Sequence, residues 1–454
     1  MNARVAVVGG GVAGLAAAHR LVERGVRDVV FLEASDRLGG SIATERRGGF
    51  TIEAGADSFL TEKPWAAELC RRLGVPLVGT REGERRTYVV HDGRIEPLPE
   101  GFLLLAPTDL RALAASPLFS WRGKLRMALD LVLPRRADAA DESLAHFVRR
   151  RFGREALERV AEPLAGGIYT ADAERLSLAA TMPRFRELER RHGSVIRGLR
   201  AEAGASRAAG ARYSLFAAPA DGMGALVEAL ARRLPEGAVR LRSPVGTLAP
   251  DGATWRLRAG DEALTADALV LAAPAWAAAT LLAPLDADLG RLLRTIEYAS
   301  SATVTLAYPS AAVPGPRGFG FVVPAVERRA LIACTWASRK FPGRAPEGHE
   351  LVRAFVGGAL RPDLLGRDDA ALVEVVRDEL RTLAGITAVP ELSRVHRHRV
   401  AMPQYLVGHL ERVAAIEARA AALPALALAG AAYRGVGVPD CVRSGEGAAD
   451  RLLG

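Results

Sequence analysis

Residues 4–33 leave this chain little choice of fold. Arg4-Val-Ala-Val-Val8 reads as a buried strand that runs directly into Gly9-Gly10-Gly11-Val12-Ala13-Gly14. Helical spacing follows from Ala13 to Arg24 and stops at Gly25, and Val29-Val-Phe-Leu-Glu33 is a second β-rich run. The result is a β-α-β unit. Gly9 permits the tight turn, Gly11 lets the backbone approach a pyrophosphate, and Gly14 lets helix and strand pack closely. Gly10, Val12 and Ala13 complete the loop, whose helix N-terminus offers free N–H groups to phosphate. Glu33, with Ala34 beside it, ends the second strand where a carboxylate can accept hydrogen bonds from ribose hydroxyls. This order of strand, glycines, helix, strand and acid predicts dinucleotide binding, and the acid disfavours a 2′-phosphorylated ligand.

Composition narrows the remaining classes. The chain has 454 residues, enough for two or three domains. Its formal net charge is +9, and of its 61 basic residues only Lys63, Lys124 and Lys340 are lysine. An arginine-rich coding bias accounts for this, as does an anionic substrate or an anionic membrane surface. The arginines are scattered and no nucleic-acid module is visible, so nucleic acid is not an expected partner. Cys70, Cys334 and Cys441 are few and far apart. They form neither a disulfide framework nor a zinc site, which fits a reducing, cytoplasmic setting. The polar start Met1-Asn2-Ala3-Arg4 does not read as a signal peptide. Ala268 to Leu285 carries no charge, but Pro274 and Pro284 divide it into a short strand and a helix rather than a membrane span.

Along the chain, helical patterns dominate from Glu100 to about Arg200. Short strands return at Val239–Arg242, Thr254–Arg258 and Ala268–Leu271, then at Ala302–Tyr308, Gly318–Val323 and Leu351–Val356. A helix is expected over Asp368–Leu383. From Leu423 the end repeats the beginning: an apolar strand, glycines, and a helix starting near Pro439-Asp440.

Glu33-Ala34-Ser-Asp-Arg37-Leu-Gly39-Gly40-Ser41 adds an arginine and two glycines just past the ribose acid. Here the chain resembles the flavin-containing amine oxidase and protoporphyrinogen oxidase superfamily, in which this loop packs against the pyrophosphate of FAD. Many members carry arginine where this chain has Ser41, so Arg37 is left to supply the charge. A solvated turn built on Gly39-Gly40 is the alternative reading. The resemblance extends to Glu53-Ala-Gly55-Ala56-Asp57-Ser58, expected along the isoalloxazine. It also covers Val245 at the adenine, His398 near the flavin, and Val436-Gly437-Val438 at the C-terminal helix. Non-covalent FAD is implied, because Cys441 lies beyond the loop where amine oxidases attach theirs. Where many flavoproteins have aspartate after the glycine of the last strand, this chain has Ala431.

Two further segments are similar to protoporphyrinogen oxidases in particular. These are Glu162-Pro-Leu-Ala-Gly-Gly167-Ile-Tyr with Arg175-Leu-Ser177, and Met402-Pro-Gln-Tyr405 with Gly408-His409. The resemblance implies an α/β protein, α+β overall. A Rossmann-type FAD-binding domain would comprise 1–80, 205–275 and 395–454, interleaved with a mixed-sheet substrate domain of 81–98 and 276–394. Residues 99–204 would form a helical membrane-associating or cap region. The implied reaction oxidises a porphyrinogen to a porphyrin in haem biosynthesis. It removes six electrons in three two-electron steps, with O₂ as acceptor and hydrogen peroxide as product. The chemistry lies at flavin N5, so no side chain is assigned as acid or base. Gly167, Val322 and Phe355 are implied against the macrocycle, with ordinary core packing as the other reading of the last two. Arg86 adjoins Thr87, where one branch of the family has a propionate-binding arginine. That departure leaves protoporphyrinogen IX and coproporphyrinogen III both open.

Apolar and aromatic residues interleave with cations from Phe102 to Arg136, either as a peripheral contact with the inner face of the membrane or as a helical cap. A homodimer is implied by the resemblance alone. His396 and His398 lack a third ligand, so no metal is expected. The competing functions are an amine oxidase or carotenoid-desaturase-like enzyme, and a flavin- or porphyrin-binding protein without turnover.

Overall fold

The structure, a computed structural model, describes residues 4–81, 86–103, 105–138, 140–208 and 215–454. Met1, Asn2, Ala3 and Leu104, which entered the expectations above, lie outside them.

The opening motif builds the centre of a five-stranded parallel sheet. Its order is Val239–Arg240, Asp28–Leu32, Arg4–Val8, Ala268–Leu271 and Leu426–Leu428. The strands are short and apolar because both faces are covered. Val5, Val7, Phe31 and Val270 pack beneath the helices Val12–Glu23 and Val438–Leu453. Ala6, Val8, Leu269 and Leu271 face a three-stranded antiparallel meander over 245–266 and the helices Ala275–Leu282, Ala287–Arg294 and His409–Ala420. The uncharged stretch from Ala268 thus divides at Pro274 into strand and helix. Among the described residues no helix is long and apolar enough to cross a membrane.

A second, seven-stranded mixed sheet lies beside the first. Its order is Leu392–Pro403, Tyr298–Pro309, His349–Gly357, Leu331–Trp336, Gly320–Val322, Thr87–His91 and Arg94–Pro97. Only Gly320–Val322 and Thr87–His91 run parallel; the other neighbours are antiparallel. Strand alternation separates two faces. Val352, Ala354 and Val356 point to the helix Asp369–Ala384, and Arg353 and Phe355 point the other way, with Arg353 bonded to the Ala54 carbonyl. The expected domain boundary at residue 395 falls inside the strand Leu392–Pro403, which is hydrogen-bonded along its length to Tyr298–Pro309.

The helical region begins later than its composition implied. Phe102–Leu103 and Ala106–Pro107 form a small antiparallel hairpin, and the first helix starts at Leu110. Gly101 sits at φ +72° and Pro107 has no N–H to donate, so both work against a helix there. Further along, Arg151 is wholly buried against Asp130 at 2.5 Å, and the carbonyl of Gly193 accepts from the same guanidinium. These contacts tie three turns of the region together.

The two ends of the chain meet at one glycine. A Cβ on Gly445 would overlap the carbonyl oxygen of Ala13, so the terminal helices touch backbone to backbone. Gly445→Ala forces them apart. We expect a loss of about 1–3 kcal/mol of stability, typical of an overpacked contact. Denaturant unfolding measures it.

Candidate active site

The glycine loop forms an open cradle at the end of the first strand. Gly9 sits at φ +113°, and a Cβ there would lie 2.6 Å from the Ala272 carbonyl oxygen. A Cβ on Gly14 would overlap the Gly9 carbonyl, so this position also needs glycine. Gly11 caps the helix Val12–Glu23 in an extended conformation, and a Cβ there would meet nothing within 4 Å. That empty side faces the unpaired N–H groups of Val12, Ala13 and Gly14 at the helix start. The first turn holds no acidic residue to repel an anion. A diphosphate fits here by size and charge.

Glu33 closes one end of the cradle. It accepts from the Gly10 amide at 2.5 Å and the Ser35 amide at 2.7 Å, which aims the carboxylate across the loop. Ala34 is exposed beside it. The amides of Arg242 and Ser243 bond back to Ser35 and Glu33, bringing half-buried Val245 to the same end. Gly39 pairs with Gly11, and Gly40 lies against the Gly11 backbone. Arg37 folds onto its own loop, donating to the carbonyls of Leu38, Gly40 and Ile42. Its charge therefore stays beside the cradle while its hydrogen bonds shape the turn. Ser41 and Gly55 are in contact, since a Cβ on Gly55 would overlap the Ser41 carbonyl.

The segment Ala54–Ser58 continues the cradle. Three side chains from the second sheet converge on the Ala54 carbonyl oxygen. Thr303 donates at 3.0 Å, Arg353 donates at 3.0 Å, and a His398 ring nitrogen lies at 2.9 Å. Burial lowers the His398 pKa, so the imidazole is neutral and its bonded nitrogen donates. Asp57 pairs with Lys340 at 3.1 Å. Burial would raise the Asp57 carboxyl, but Lys340 and Arg353 outweigh it and hold the pKa at about 2. Sequence reasoning missed Arg353, Thr303 and Lys340. Arg353 did leave a signal: it is the only charge within Leu351-Val-Arg-Ala-Phe-Val356, where a buried charge requires a partner.

The C-terminal loop faces this segment. Val436, Gly437 and Val438 lead into the helix Val438–Leu453, whose N-terminus is a positive dipole end. Gly430 sits at φ +121° with open space where a Cβ would be. Tyr405 braces the loop from below: its hydroxyl donates to Ala431 at 2.6 Å and accepts from the Gly435 amide at 2.7 Å. The Tyr405 ring stacks on His409 at 3.8 Å, and a His409 nitrogen lies 2.9 Å from the Tyr433 carbonyl. Asp440 is buried and pairs with Lys63 at 2.6 Å. Cys441 is buried too, and desolvation pushes its thiol up to about 12.

The two segments that pointed to a narrower group are hydrogen-bonded to each other. The Ser177 amide donates to Tyr405 at 2.7 Å, and the Val407 amide donates to Arg175 at 3.0 Å. Asp141 accepts from the Ser177 hydroxyl and from the Gly408 amide. This junction locks the helical region onto the C-terminal loop.

On the second sheet, Val322, Ala333, Phe355, Thr303 and His396 stand in one row across five strands. Gly167, exposed on the helix Glu162–Tyr169, lies over Val322 and Ala333; a Cβ there would be 3.7 Å from Val322. Phe355 and Val436 pack against the same apolar cluster. The structure thus brings Gly167 against Val322, with Phe355 two strands along in the same row. Arg86 stands apart. Its carbonyl is held by Phe319, and its exposed side chain borders an open pocket of about 420 Å³ with Thr87, Leu98, Glu100 and Phe102.

The model of the family described as flavin containing amine oxidoreductase matches residues 12–453. The chain belongs to that family. It is 34% identical to the coproporphyrinogen III oxidase of Bacillus subtilis (strain 168), covering 99% of this chain and 97% of the relative. It is 32% identical to the protoporphyrinogen oxidase of Bos taurus, covering 100% and 99%. A crystal structure from Exiguobacterium sp. 255-15, provisionally named a protoporphyrinogen oxidase, superposes with a TM-score of 0.90. It is 31% identical, with 100% and 99% covered. FAD is the cofactor, and the cradle fits it: open space at Gly11 and Gly430, an aimed carboxylate at Glu33, and two helix N-termini for diphosphate and flavin.

His409 makes the site acid-sensitive. It is fully buried, and desolvation, with Arg412 and Arg434 nearby, lowers its pKa from 6.5 to about 4. The unfolded chain takes up the proton more readily, so stability present above pH 6.5 is lost as the pH falls toward 4. The full effect is about 3 kcal/mol. Unfolding measured at pH 7 and pH 5 should show the loss in the wild type, and His409→Gln should flatten it.

Proposed function

We propose that this protein oxidises coproporphyrinogen III to coproporphyrin III, passing the electrons through FAD to O₂ with release of hydrogen peroxide. The observation that carries this reading is the apolar row Val322–Ala333–Phe355 beside Gly167, in register with Thr303, whose hydroxyl bonds the Ala54–Ser58 loop. The names of the full-length relatives support a porphyrinogen, and their identities favour coproporphyrinogen III. The excess of positive charge suits a substrate with four propionates.

Bound FAD would accept a hydride at N5. The protein's own residues orient and shield. Glu33 and the cradle at Gly9–Gly14 hold the adenosine and diphosphate, and Gly55, Ala56, Asp57 and Ser58 line the ring. Val322 and Phe355 hold the macrocycle in a reactive geometry and keep water out. Arg86 offers a propionate its guanidinium from the neighbouring pocket. Cys441 is too buried and too weakly acidic to serve as a thioether attachment, so FAD is held without a covalent bond.

The helix Trp121–Ala128 and the turn Leu129–Leu131 also carry an apolar ridge. Trp121, Leu125, Leu129 and Val132 are 70%, 67%, 47% and 73% exposed, at helical spacing on one side. Lys124 lies over the Trp121 ring at 4.7 Å. Such a ridge flanked by cations suits peripheral attachment to an anionic cytoplasmic membrane face. The protein should float with anionic liposomes, and Trp121→Glu with Leu125→Glu should release it. Recovery of the wild type in the soluble fraction at low salt would refute the attachment.

The deciding experiment mixes the holoenzyme anaerobically with coproporphyrinogen III or protoporphyrinogen IX and follows the visible flavin band. We expect bleaching by coproporphyrinogen III at least tenfold faster at equal concentration, a difference of about 1.4 kcal/mol in barrier. Porphyrin fluorescence should follow. Bleaching by neither substrate would remove the porphyrinogen reading.

A further inference from the structure

Arg353 is an unusual residue to find in the middle of a sheet. It is 3% exposed, and its strand neighbours in register are Thr335 and Thr305. One terminal nitrogen donates to the carbonyls of both Ala54 and Gly55. The guanidinium stands 4.7 Å from the Phe355 ring centre and 4.0 Å from an Asp57 oxygen. It therefore touches the flavin loop and the proposed substrate face at once.

Two polar atoms behind the loop have no hydrogen-bond partner among the described residues: Arg353 Nε and Thr305 Oγ1. Both residues border an internal cavity of about 10 Å³, lined also by Glu53, Asp57 and Arg344. That is roughly the space one water requires, at ~10–15 Å³. A single water there would satisfy both atoms and join Arg353 to the acids.

The charges behind the loop do not cancel. Lys340, Arg344 and Arg353 face two buried acids, Glu53 and Asp57, while exposed Asp221 acts on Arg344 from the outer side. Burial raises the Glu53 pKa despite its bonds from Thr44 and Met223, which favours the neutral acid further. His396 and His398, the nearest imidazoles on the facing strand, are both held neutral by burial. The surplus is positive, and it lies in a region where water screens little. On the open side of the loop, the amides of Gly55 and Ala56 donate no hydrogen bond among the described residues.

We propose that Arg353 is a positioning residue for the flavin. It clamps the Ala54 and Gly55 carbonyls from behind, so that the free amides face the ring, and its charge supports the negative charge of the two-electron-reduced cofactor. The proposal rests on the flavin of this family and holds whichever porphyrinogen is the substrate.

The test is the midpoint potential of bound FAD in the holoenzyme, measured by dye equilibration alongside FAD affinity. Arg353→Met should weaken binding of reduced relative to oxidised FAD about tenfold, a fall of about 30 mV for a two-electron couple. Arg353→Lys keeps the charge and should recover most of that potential. Asp57→Asn removes a compensating acid and should shift the potential the opposite way. A purely structural role would weaken both redox forms equally and leave the potential unchanged in every variant. An unchanged potential, or shifts of the same sign in Arg353→Met and Asp57→Asn, overturns the proposal. If Arg353→Met does not retain FAD, Arg353→Lys and Asp57→Asn decide between the same outcomes: wild-type-like potential in the first with a rise in the second supports it, and any other pattern overturns it.

Discussion

The contact between Gly445 and Ala13 is the constraint on which the rest of this protein depends. The first and last helices of the chain lie on one face of the parallel sheet and meet backbone to backbone. Closeness there brings two helix N-termini to one edge of the sheet, beside the glycine cradle. In the proposed arrangement one would serve the diphosphate and the other the flavin ring. A side chain at that contact would separate the dipoles and widen the cradle together, because interiors are packed too densely to absorb it.

The second sheet acts on that site from outside. Its strands bring Thr303, Arg353 and His398 onto a single carbonyl of the Ala54–Ser58 loop, while the opposite face builds its own core on the helix Asp369–Ala384. A loop without regular structure is held in this way by groups on rigid strands, which position it better than its own short contacts could. The helical region reaches the same place by the junction of Ser177 with Tyr405, whose hydroxyl then braces the C-terminal loop. Three separately packed cores therefore converge on one cofactor.

Much of this was legible beforehand, and the exceptions have physical causes. The strand Arg4–Val8, its glycines and Glu33 follow from short-range rules, since turn geometry and helix starts depend on neighbours in sequence. The helix Asp369–Ala384 lies within one residue of the expected span Asp368–Leu383 at each end. Phe102–Pro107 went against its apolar composition, because Gly101 and Pro107 act on the backbone whereas composition acts on burial. Half of the strand Leu392–Pro403 is charged or polar, and its sheet membership comes from pairing with a partner nearly a hundred residues earlier. Arg37 was expected to supply the loop's positive charge alone, and its hydrogen bonds run into its own loop. Arg86 was considered with the substrate residues, and it borders a pocket at the start of the strand that pairs with Gly320–Val322.

The sequence alone determined the glycine cradle, the acid Glu33 that closes one end of it and the order of the main elements. Those features are written in residues close together along the chain, where glycine conformation, helix polarity and apolar periodicity operate. Only the tertiary structure decided which strands share a sheet, which arginine is buried against the flavin loop, and that Gly167, Val322 and Phe355 lie side by side. These depend on contacts between residues hundreds of positions apart. Such contacts form because separate apolar faces must find one another to leave water, and no local pattern specifies which face a given strand will meet.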